Sequence, residues 1–482
     1  MSNNPLLRAD HNYNLSTEFT LSKEQQEGVE FLLSHFNSVV GFKPGVGKTL
    51  TMLTTLQHIF NYSQKTIAVI ICPKSATTAF IKEVDNRIHS PLTVMTTELE
   101  RRDKGSRMFL LNYSNLKLLP RLMESAKSKG NKVIGVFDEV HTVGNPDTKL
   151  YKTLTEYRKD FCCVYGMTAT LFLNDIESLF WVLNFIRPGY FPNIWAFRNK
   201  YMIFKTKTLY QKGRKREIKE CVGFKNLDEL HDLVEKICII RGKTYNFDIA
   251  FHPVTLTKVE QDDYIKGAEG IWNTVEEDDI KSFSGRLHDL QRIVDNTNSK
   301  MDELIKVTKS IVERGENVII FTDYEESYQN IKEKLISNKA FIGFNKIFMI
   351  TGATPDKERR KAETDMSSRD IVIGTRACSQ SINLQAANNI IFVDLPFSIG
   401  VVIQSMGRIL RMDTKYPMQH IHFIEAVDTI DTYKRAMFEA HRDLFNSVFG
   451  SDPNLPSLVA DMSSEDILKM KQKFKRKFLW KR

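Results

Sequence analysis

The stretch that decides the fold is Ser38-Val39-Val40-Gly41-Phe42-Lys43-Pro44-Gly45-Val46-Gly47-Lys48-Thr49. Residues 38–42 have the apolar, β-branched composition of a buried strand, and residues 50–60 have the apolar spacing of a helix. Glycines between a strand and a helix let backbone N–H groups close around phosphate oxygens, and the helix N-terminus favours their negative charge. The stretch predicts an ATP-phosphate loop in which Gly45, Val46, Gly47 and Lys48 contact the nucleotide, Lys48 reaches the β- and γ-phosphates, and the Thr49 hydroxyl binds Mg²⁺.

One position of this loop departs from the usual pattern. A glycine or alanine is expected five residues before Gly47, where this chain has Phe42, and Gly41 lies one residue too early. The alternative is a chance glycine turn in front of a helix. The succession of strand, loop and helix favours the nucleotide interpretation, and the departure concerns the first residue of the loop rather than the role of Lys48.

Short apolar runs alternate with helix-like segments on both sides of the loop. Such alternation predicts an α/β fold with parallel strands covered on both faces. The rhythm breaks after about Thr170, where the chain looks mostly helical or loop-like, and it resumes near residue 317. We expect two parallel-sheet domains in tandem with a mostly helical insertion: residues 1–170, an insertion at 171–298, a second domain at 299–450 and a basic tail at 451–482. The predicted strands are 38–42, 66–71, 109–111, 133–137 and 162–167 in the first domain, and 317–321, 346–350, 371–375, 389–394 and 420–424 in the second.

An acidic motif, Asp138-Glu139-Val140-His141, follows the predicted strand at 133–137. At the carboxyl end of a strand beside a phosphate loop, Asp138 would hold Mg²⁺, largely through water. Glu139 would orient or deprotonate the attacking water, because phosphoryl transfer needs mainly positioning and charge neutralisation. A solvated strand end is the alternative, and the motif gains weight from the strands that separate it from Lys48.

The net charge of +9 is concentrated in two segments. Lys205–Lys219 carries +6 and Lys469–Arg482 carries +8, so the remainder of the chain is acidic by five charges. Both segments are candidates for contact with nucleic-acid phosphates. The alternatives are a solvated loop for the first and a solubilising tail for the second.

Composition excludes several classes of protein. A hydrophobic content of 42% and a charged content of 26% are those of an ordinary globular chain. No apolar run approaches the roughly 20 residues that span a bilayer, and the N-terminus has no secretory pattern. The six cysteines include no CxxC pair, which favours a reducing compartment. We expect no membrane association and a cytoplasmic location, in a host cytoplasm or nucleoid if the source is viral or bacterial.

The motifs together resemble those of superfamily 2 helicases, and more closely the Swi/Snf-type DNA translocases. The resemblance covers residues 21–436 and is most specific at Leu179–Gly189, a stretch similar to the one that follows the coupling motif in the Swi/Snf branch. It implies two RecA-like domains and assigns Gln25 to the reading of adenine. It assigns His141, Thr168, Thr170 and Gln404 to the coupling of hydrolysis to motion. It also makes Arg408 and Arg411 catalytic arginines that neutralise charge on the γ-phosphate.

The resemblance implies further residues and partners. Contacts to DNA would go to phosphates and sugars and would not read sequence. The implied function is ATP-dependent translocation with remodelling or unwinding of duplex or branched DNA in replication, recombination or repair. Possible partners are proteins of those processes. A compact viral or phage member of the family is a plausible source. The alternatives are an NTPase that acts on a transcription complex and a nucleic-acid-binding scaffold that has lost hydrolysis. The DNA-contacting residues implied by the resemblance are Lys74, Ser75, Asn112, Tyr113, Ser114, Thr351, Gly352 and Thr375.

Overall fold

The computed structural model describes residues 20–95, 102–172, 176–211, 214–242, 245–273, 280–375, 384–396, 399–409 and 416–450. These residues divide into two units, one formed by residues 20–242 with 445–450 and the other by residues 245–444. Each unit is built on one parallel sheet, as the alternation of strands and helices predicted. Residues of the expected insertion at 171–298 contribute to both units, since one of its strands joins the first sheet and another joins the second.

The first unit contains a parallel sheet of seven strands. Apolar β-branched runs form its central strands, which are buried along their whole length apart from the ends. In order across the sheet the strands are β3-β4-β2-β5-β6-β1-β9. They are β1 (Ser38–Val40), β2 (Thr66–Cys72), β3 (Leu92–Met95), β4 (Met108–Asn112), β5 (Lys132–Asp138), β6 (Phe161–Met167) and β9 (Cys238–Ile239).

The register of three neighbouring strands brings the predicted motifs to one edge. Asp138 of β5 pairs with Met167 of β6, and Met167 pairs with Val40 of β1. Because these strands are parallel, the residues that follow them leave the sheet at the same edge. The phosphate loop, the acidic motif and the segment that begins at Thr168 are therefore adjacent.

Helices cover the first sheet and bury its core. Helix α1 begins with a capping box, in which Ser22 and Gln25 satisfy each other's backbone N–H groups. The buried Tyr165 of β6 donates its hydroxyl to the Leu32 carbonyl at 2.9 Å and so fixes this helix on the sheet. The helices are α1 (Lys23–Ser34), α2 (Lys48–Tyr62), α3 (Thr77–Glu83), α4 (Leu119–Ser128), α5 (Lys149–Tyr157), α6 (Ile176–Ile186), α7 (Ile194–Tyr201) and α8 (Leu227–Glu235).

A two-stranded hairpin in the first unit was not foreseen. The basic segment Lys205–Lys219 was expected to be helix or loop, and its described residues lie instead in the antiparallel strands β7 (Met202–Gln211) and β8 (Arg214–Phe224). Alternation is present in Lys205-Thr206-Lys207-Thr208, but it alternates two polar residue types. The apolar face by which a strand is normally found is missing.

The second unit contains a parallel sheet of six strands. All five strands predicted for it are confirmed, and β10 at its edge is additional. Its order is β10-β15-β14-β11-β13-β12. The strands are β10 (Phe247–Val254), β11 (Val318–Phe321), β12 (Ile347–Ile350), β13 (Ile371–Gly374), β14 (Asn389–Phe392) and β15 (Gln419–Ala426).

Helices around the second sheet enclose a fully buried ion pair. The Lys300 ammonium lies 2.8 Å from Asp295 and 2.6 Å from Asp431, and all three side chains are buried. None of the helices in the described part of the chain is long and apolar enough to span a membrane. The helices after β10 are α9 (Lys258–Asn273), α10 (Ile280–Asp295), α11 (Asn298–Glu313), α12 (Glu325–Ser337), α13 (Lys339–Ile342), α14 (Asp356–Thr364), α15 (Ile399–Met406) and α16 (Ile430–Phe449).

Candidate functional site

The phosphate loop joins β1 to α2. Gly45 and Gly47 have φ angles of 84° and 95°, in the left-handed region that glycine tolerates best. Gly47 is the N-cap residue of α2 and no side chain caps this helix. The N–H groups of its first turn are thus left for another acceptor. Lys48 begins the helix and donates its ammonium to the Phe42 carbonyl at 2.9 Å, so that its charge lies over the loop.

Gln25 binds the loop directly. Its Oε1 accepts from the Ser22 N–H at 2.9 Å as part of the capping box, and its Nε2 donates to the Val46 carbonyl at 3.0 Å. A Cβ atom on Gly47 would collide with the same amide nitrogen, so the close approach requires glycine. The structure therefore places Gln25 against the loop itself. Its predicted role in reading adenine stays a prediction.

The unusual Phe42 is accommodated by a glycine on α1. A Cβ atom on Gly28 would lie 2.6 Å from the Phe42 ring and 2.8 Å from the Thr51 methyl group. The ring thus occupies the space that a side chain at position 28 would need, and it is fully buried. The loop begins from a packed aromatic residue, where the usual pattern has a small one.

The pKa values of the two carboxyl groups of the acidic motif are shifted in opposite directions. Asp138 ends β5 and is buried, and burial together with the neighbouring Glu139 raises the pKa of Asp138 to about 7. Burial by itself would raise the pKa of Glu139 as well. The hydrogen bond and charge of His141, with the charge of Lys48, outweigh burial and hold the pKa of Glu139 well below its usual range. Glu139 is therefore the more fully ionised member of the pair at neutral pH.

A short network of hydrogen bonds links Glu139 to the end of the next strand. His141 Nδ1 lies 2.9 Å from the Thr168 hydroxyl and 3.3 Å from Glu139 Oε2. The Thr168 hydroxyl lies 3.1 Å from Glu139 Oε2 and 2.7 Å from the Thr170 carbonyl. The Thr170 N–H donates back to the Thr168 hydroxyl at 3.1 Å. Glu139 was predicted as a catalytic residue and the other three as coupling residues, and the structure brings the four together in one network.

The donor set fits a nucleotide with a hard cation. The uncapped N-terminus of α2 and the Lys48 ammonium suit phosphate oxygens, and the Thr49 hydroxyl and the Asp138 carboxylate are the oxygen ligands that Mg²⁺ prefers. Lys48 is close enough to lower the pKa of both Asp138 and Glu139. No cluster of three or more His, Cys, Asp or Glu side chains suited to a metal occurs in the described ranges.

The predicted DNA-contacting residues of the first unit follow β2 and β4. Lys74 is exposed and Ser75 half-buried in the turn after β2, and Ser114 is exposed after β4. Asn112 is buried, and its side-chain oxygen accepts from the Thr77 hydroxyl at 2.9 Å. Tyr113 donates its hydroxyl to the Asp138 carbonyl at 2.7 Å, a link between this loop and the acidic motif that the sequence did not indicate.

The predicted residues of the second unit lie at the carboxyl ends of β12 and β13. The Thr375 N–H donates to the Ile350 carbonyl at 3.1 Å, which brings it beside Thr351 and Gly352. Arg359 of α14 organises this loop, since its guanidinium donates to the carbonyls of Thr351, Gly352 and Thr354 at 2.7–3.0 Å. Arg359 was missed because nothing in the charged run Asp356–Lys361 distinguishes one arginine from the next.

Two domain families match the chain. The SNF2-related domain matches residues 24–249, and the helicase conserved C-terminal domain matches residues 299–413. The chain belongs to the Swi/Snf-type branch of the superfamily 2 helicases. As a member of this branch it is an ATP-dependent enzyme of the helicase class, which agrees with the nucleotide site derived from the loop and the acidic motif.

The match with this chain covers very different shares of the length of its relatives. An uncharacterized ATP-dependent helicase of Bacillus subtilis, YqhH, is 21% identical over 477 residues, covering 90% of this chain and 80% of its own. The human DNA annealing helicase and endonuclease ZRANB3 is 21% identical over 429 residues, and the match covers 85% of this chain but 38% of ZRANB3. The SWI2/SNF2 ATPase core of Sulfolobus solfataricus in complex with double-stranded DNA is 19% identical, with coverage of 94% and 97% and a TM-score of 0.41.

The last helicase motif is only partly described. Gln404 is buried in α15, and its carbonyl accepts from Arg408 Nε at 3.1 Å. Arg411 lies outside the described residues, as does the basic tail Lys469–Arg482. The catalytic assignment of Arg408 and Arg411 therefore stays a prediction of the sequence.

Proposed function

We propose that this helicase hydrolyses ATP when bound to DNA and uses the hydrolysis to move along duplex or branched DNA, in replication, recombination or repair. The observation that carries the proposal is the hydrogen-bond network from Glu139 through Thr168 to Thr170. It joins the carboxylate that faces the phosphate loop to the segment after β6, so a change at the nucleotide can alter that segment.

Each residue of the first unit has a distinct role in this proposal. The first turn of α2 and Lys48 bind the phosphates and neutralise their charge. Thr49 and Asp138 would hold Mg²⁺, which supplies further charge neutralisation when bound. Glu139, kept ionised by His141 and Lys48, orients the attacking water.

Arg408 and Arg411 are proposed to neutralise the charge that develops on the transferred phosphoryl group. Arginine in this role is worth about 10³–10⁵ in rate in related phosphoryl-transfer enzymes. The strand-end loops at Lys74, Ser75, Asn112, Tyr113, Ser114, Thr351, Gly352 and Thr375 are proposed to contact DNA phosphates. The similarity to a DNA annealing helicase supports DNA as the substrate.

The test compares ATP hydrolysis with single strands, duplexes, forks and four-way junctions. We expect at least one DNA to stimulate hydrolysis, with the largest effect for a duplex-containing substrate. Lys48→Ala should abolish hydrolysis while DNA binding is retained. Lys127→Ala, a change of an exposed lysine on α4, should leave both unchanged.

The result also separates the competing functions. If the wild-type protein hydrolyses ATP with none of these DNAs, the motor proposal is wrong. Hydrolysis that requires RNA polymerase would indicate the transcription NTPase. Binding of DNA with no hydrolysis under any condition would indicate the scaffold.

A further inference from the structure

The β7–β8 hairpin is isolated within the first unit. Its strands pair from Met202 opposite Phe224 to Gln211 opposite Arg214, and in the described part of the chain they form a sheet of two strands only. At roughly 3.4 Å per residue the ladder is about 30 Å long. A lone two-stranded ribbon is marginally stable in water, so a ribbon of this length needs a firm base or a partner.

The base of the hairpin is held firmly. Tyr201, which precedes β7, is buried against Phe191 and Phe197, with ring centroids 6.3 Å and 4.9 Å away. The Lys225 N–H donates to the Tyr201 carbonyl at 3.0 Å, and Asn226 Nδ2 donates to the Lys200 carbonyl at 2.7 Å. Both ends of the hairpin are thus fixed to the same aromatic cluster, which holds the base of the hairpin in a defined position.

The β7–β8 hairpin carries more positive charge than an exposed strand edge requires. Residues 205–219 contain seven basic residues and one acidic residue, Glu217, in a chain that is acidic outside its two basic segments. Lys205 and Lys219 are exposed. An alternative role of charged residues on an edge strand is to prevent association with other strands. Positive, negative or mixed charges can all have that role. From Met202 to Phe224 the ribbon has seven basic and two acidic residues, Glu217 and Glu220, and this net positive charge attracts an anionic partner.

Exposed apolar side chains cluster at the same place. Among the side chains that the structure describes in the first unit, four large apolar ones stand out as exposed, and three of them, Trp195, Ile203 and Val222, lie on the hairpin or on the helix before it. The indole of Trp195 is 65% exposed, and Arg198 stacks on it at 4.9 Å. Arg198 is itself fixed by two hydrogen bonds to Glu177. Basic and apolar groups side by side suit the phosphates and sugars of a nucleic-acid backbone.

We propose that the β7–β8 hairpin is a contact element for duplex DNA, separate from the strand-end loops. A two-stranded ribbon has the width that the major groove of B-DNA admits. Binding of single strands relies on a series of aromatic side chains on which successive bases stack, and in the described parts of α7 and the hairpin one aromatic side chain, Trp195, is highly exposed. The inference rests on the proposed DNA motor function and adds to it a site that sets affinity for the duplex.

The experiment removes charge from the hairpin and measures the salt dependence of duplex binding. The variant carries Lys205→Gln, Lys207→Gln, Lys215→Gln and Lys219→Gln, four lysines within β7 and β8. The matched control carries Lys65→Gln, Lys127→Gln, Lys129→Gln and Lys132→Gln, four exposed lysines at the end of the first sheet remote from the phosphate loop. We expect the slope of log K against log salt to become shallower by about 2–4 in the hairpin variant, at about 0.9 per lost phosphate contact, and to stay unchanged in the control.

Two further measurements test whether the lost charge, rather than a folding defect, causes the change in slope. Replacing the same four lysines with arginine should keep the wild-type slope, which shows that charge rather than folding is responsible. Basal ATP hydrolysis should be equal in all variants, because none of the changed residues lies in the nucleotide site.

Three outcomes would overturn the inference. The first is an unchanged slope in the glutamine variant, and the second is an equal loss of slope on single strands of the same length. The third is self-association of the variant without a change in slope, which would show that the charges prevent the exposed strand edges from pairing with another molecule. Failure of the motor function itself looks different, because then wild-type hydrolysis would not respond to any DNA.

Discussion

The Thr168 hydroxyl lies 3.1 Å from a carboxylate oxygen of Glu139, and the same hydroxyl lies 2.7 Å from the Thr170 carbonyl. A hydroxyl has one hydrogen to donate, so the two acceptors compete for it. A change in the charge around Glu139 shifts that competition. The relationship gives the segment after β6 a physical means of responding to the nucleotide.

Thr168→Val removes the hydroxyl and keeps the shape of the side chain. A hydrogen bond to a charged group is worth about 1.5–3 kcal/mol, so we expect ATP hydrolysis to fall by about 10- to 100-fold. We also expect fewer base pairs moved per ATP hydrolysed. Steady-state ATPase and a translocation assay measure the two effects, and Thr155→Val on the exposed face of α5 is the control. Equal coupling ratios in Thr168→Val and wild type would contradict the proposed link.

Gln25→Glu separates the two hydrogen bonds of this side chain. The carboxylate can still accept from the Ser22 N–H, but it cannot donate to the Val46 carbonyl. Loss of one hydrogen bond predicts a rise in the KM for ATP of about 2- to 10-fold. Gln26→Glu, an exposed neighbour, should have no effect.

The choice of nucleotide distinguishes the two roles of Gln25. If Gln25 only positions the loop, the KM values for ATP and GTP should rise together. A selective loss of ATP over GTP would support the reading of adenine that the family resemblance implies. An unchanged KM for both nucleotides would show that the bond to Val46 does not matter for binding.

A strand could be predicted from the sequence where its own residues form a recognisable apolar pattern, and it was missed where they do not. Buried parallel strands such as β2 and β5 are continuous apolar runs, so local composition located them. Strand β10 contains Asp248, His252 and Pro253 and is only partly buried, so it had no such run. The hairpin was missed for a related reason, since its apolar residues lie mostly near its base and do not alternate regularly with the polar ones.

The same distinction applies to the site. Lys48 and Asp138 belong to local motifs whose chemistry can be deduced from residue type and spacing. The contacts of Gln25 with Val46 and of Gly28 with Phe42 join α1 to a loop that lies further along the chain, and they arise only when the helix packs on the sheet. One sequence contains no signal for such pairs.

Gly28→Ala should destabilise the protein although alanine is the better helix former. The added Cβ would lie 2.6 Å from the Phe42 ring, and overpacking of this kind costs about 1–3 kcal/mol. Gly285→Ala in α10, where nothing lies within 4 Å, should instead be neutral or stabilising by about 0.5–1 kcal/mol. Thermal unfolding measures both, and the double variant Gly28→Ala with Phe42→Leu should recover part of the loss. Equal effects of the two alanines would contradict the packing argument.

Asp138→Asn should stabilise the nucleotide-free protein at pH 8 while it abolishes hydrolysis. The pKa of Asp138 is about 7 in the folded protein and near 4 in an unfolded chain. Between these values the folded state binds more protons, so the aspartate lowers stability as pH rises from about 4 to 7. Asparagine carries no charge and removes this penalty.

The measurement is thermal unfolding of the nucleotide-free protein at pH 5.5 and pH 8. We expect the gain in Tm from Asp138→Asn to be larger at pH 8, by about 2–6 °C. Asp147→Asn, at an exposed carboxylate, should show no such difference. A gain that is the same at both pH values would mean that Asp138 is ionised throughout.

Lys300→Met should be among the most damaging substitutions in the second unit although it is far from any catalytic motif in the sequence. The Lys300 ammonium lies within 2.8 Å of both Asp295 and Asp431, and no part of its side chain is exposed. Removing the cation leaves two carboxylates buried without their partner, which costs about 3–5 kcal/mol. Lys306→Met on the same helix removes a lysine that is 77% exposed and pairs with Glu303, and should cost less than about 1 kcal/mol. Chemical denaturation of the two variants measures the difference, and a loss of similar size in both would show that the buried ion pair contributes no more than an exposed one.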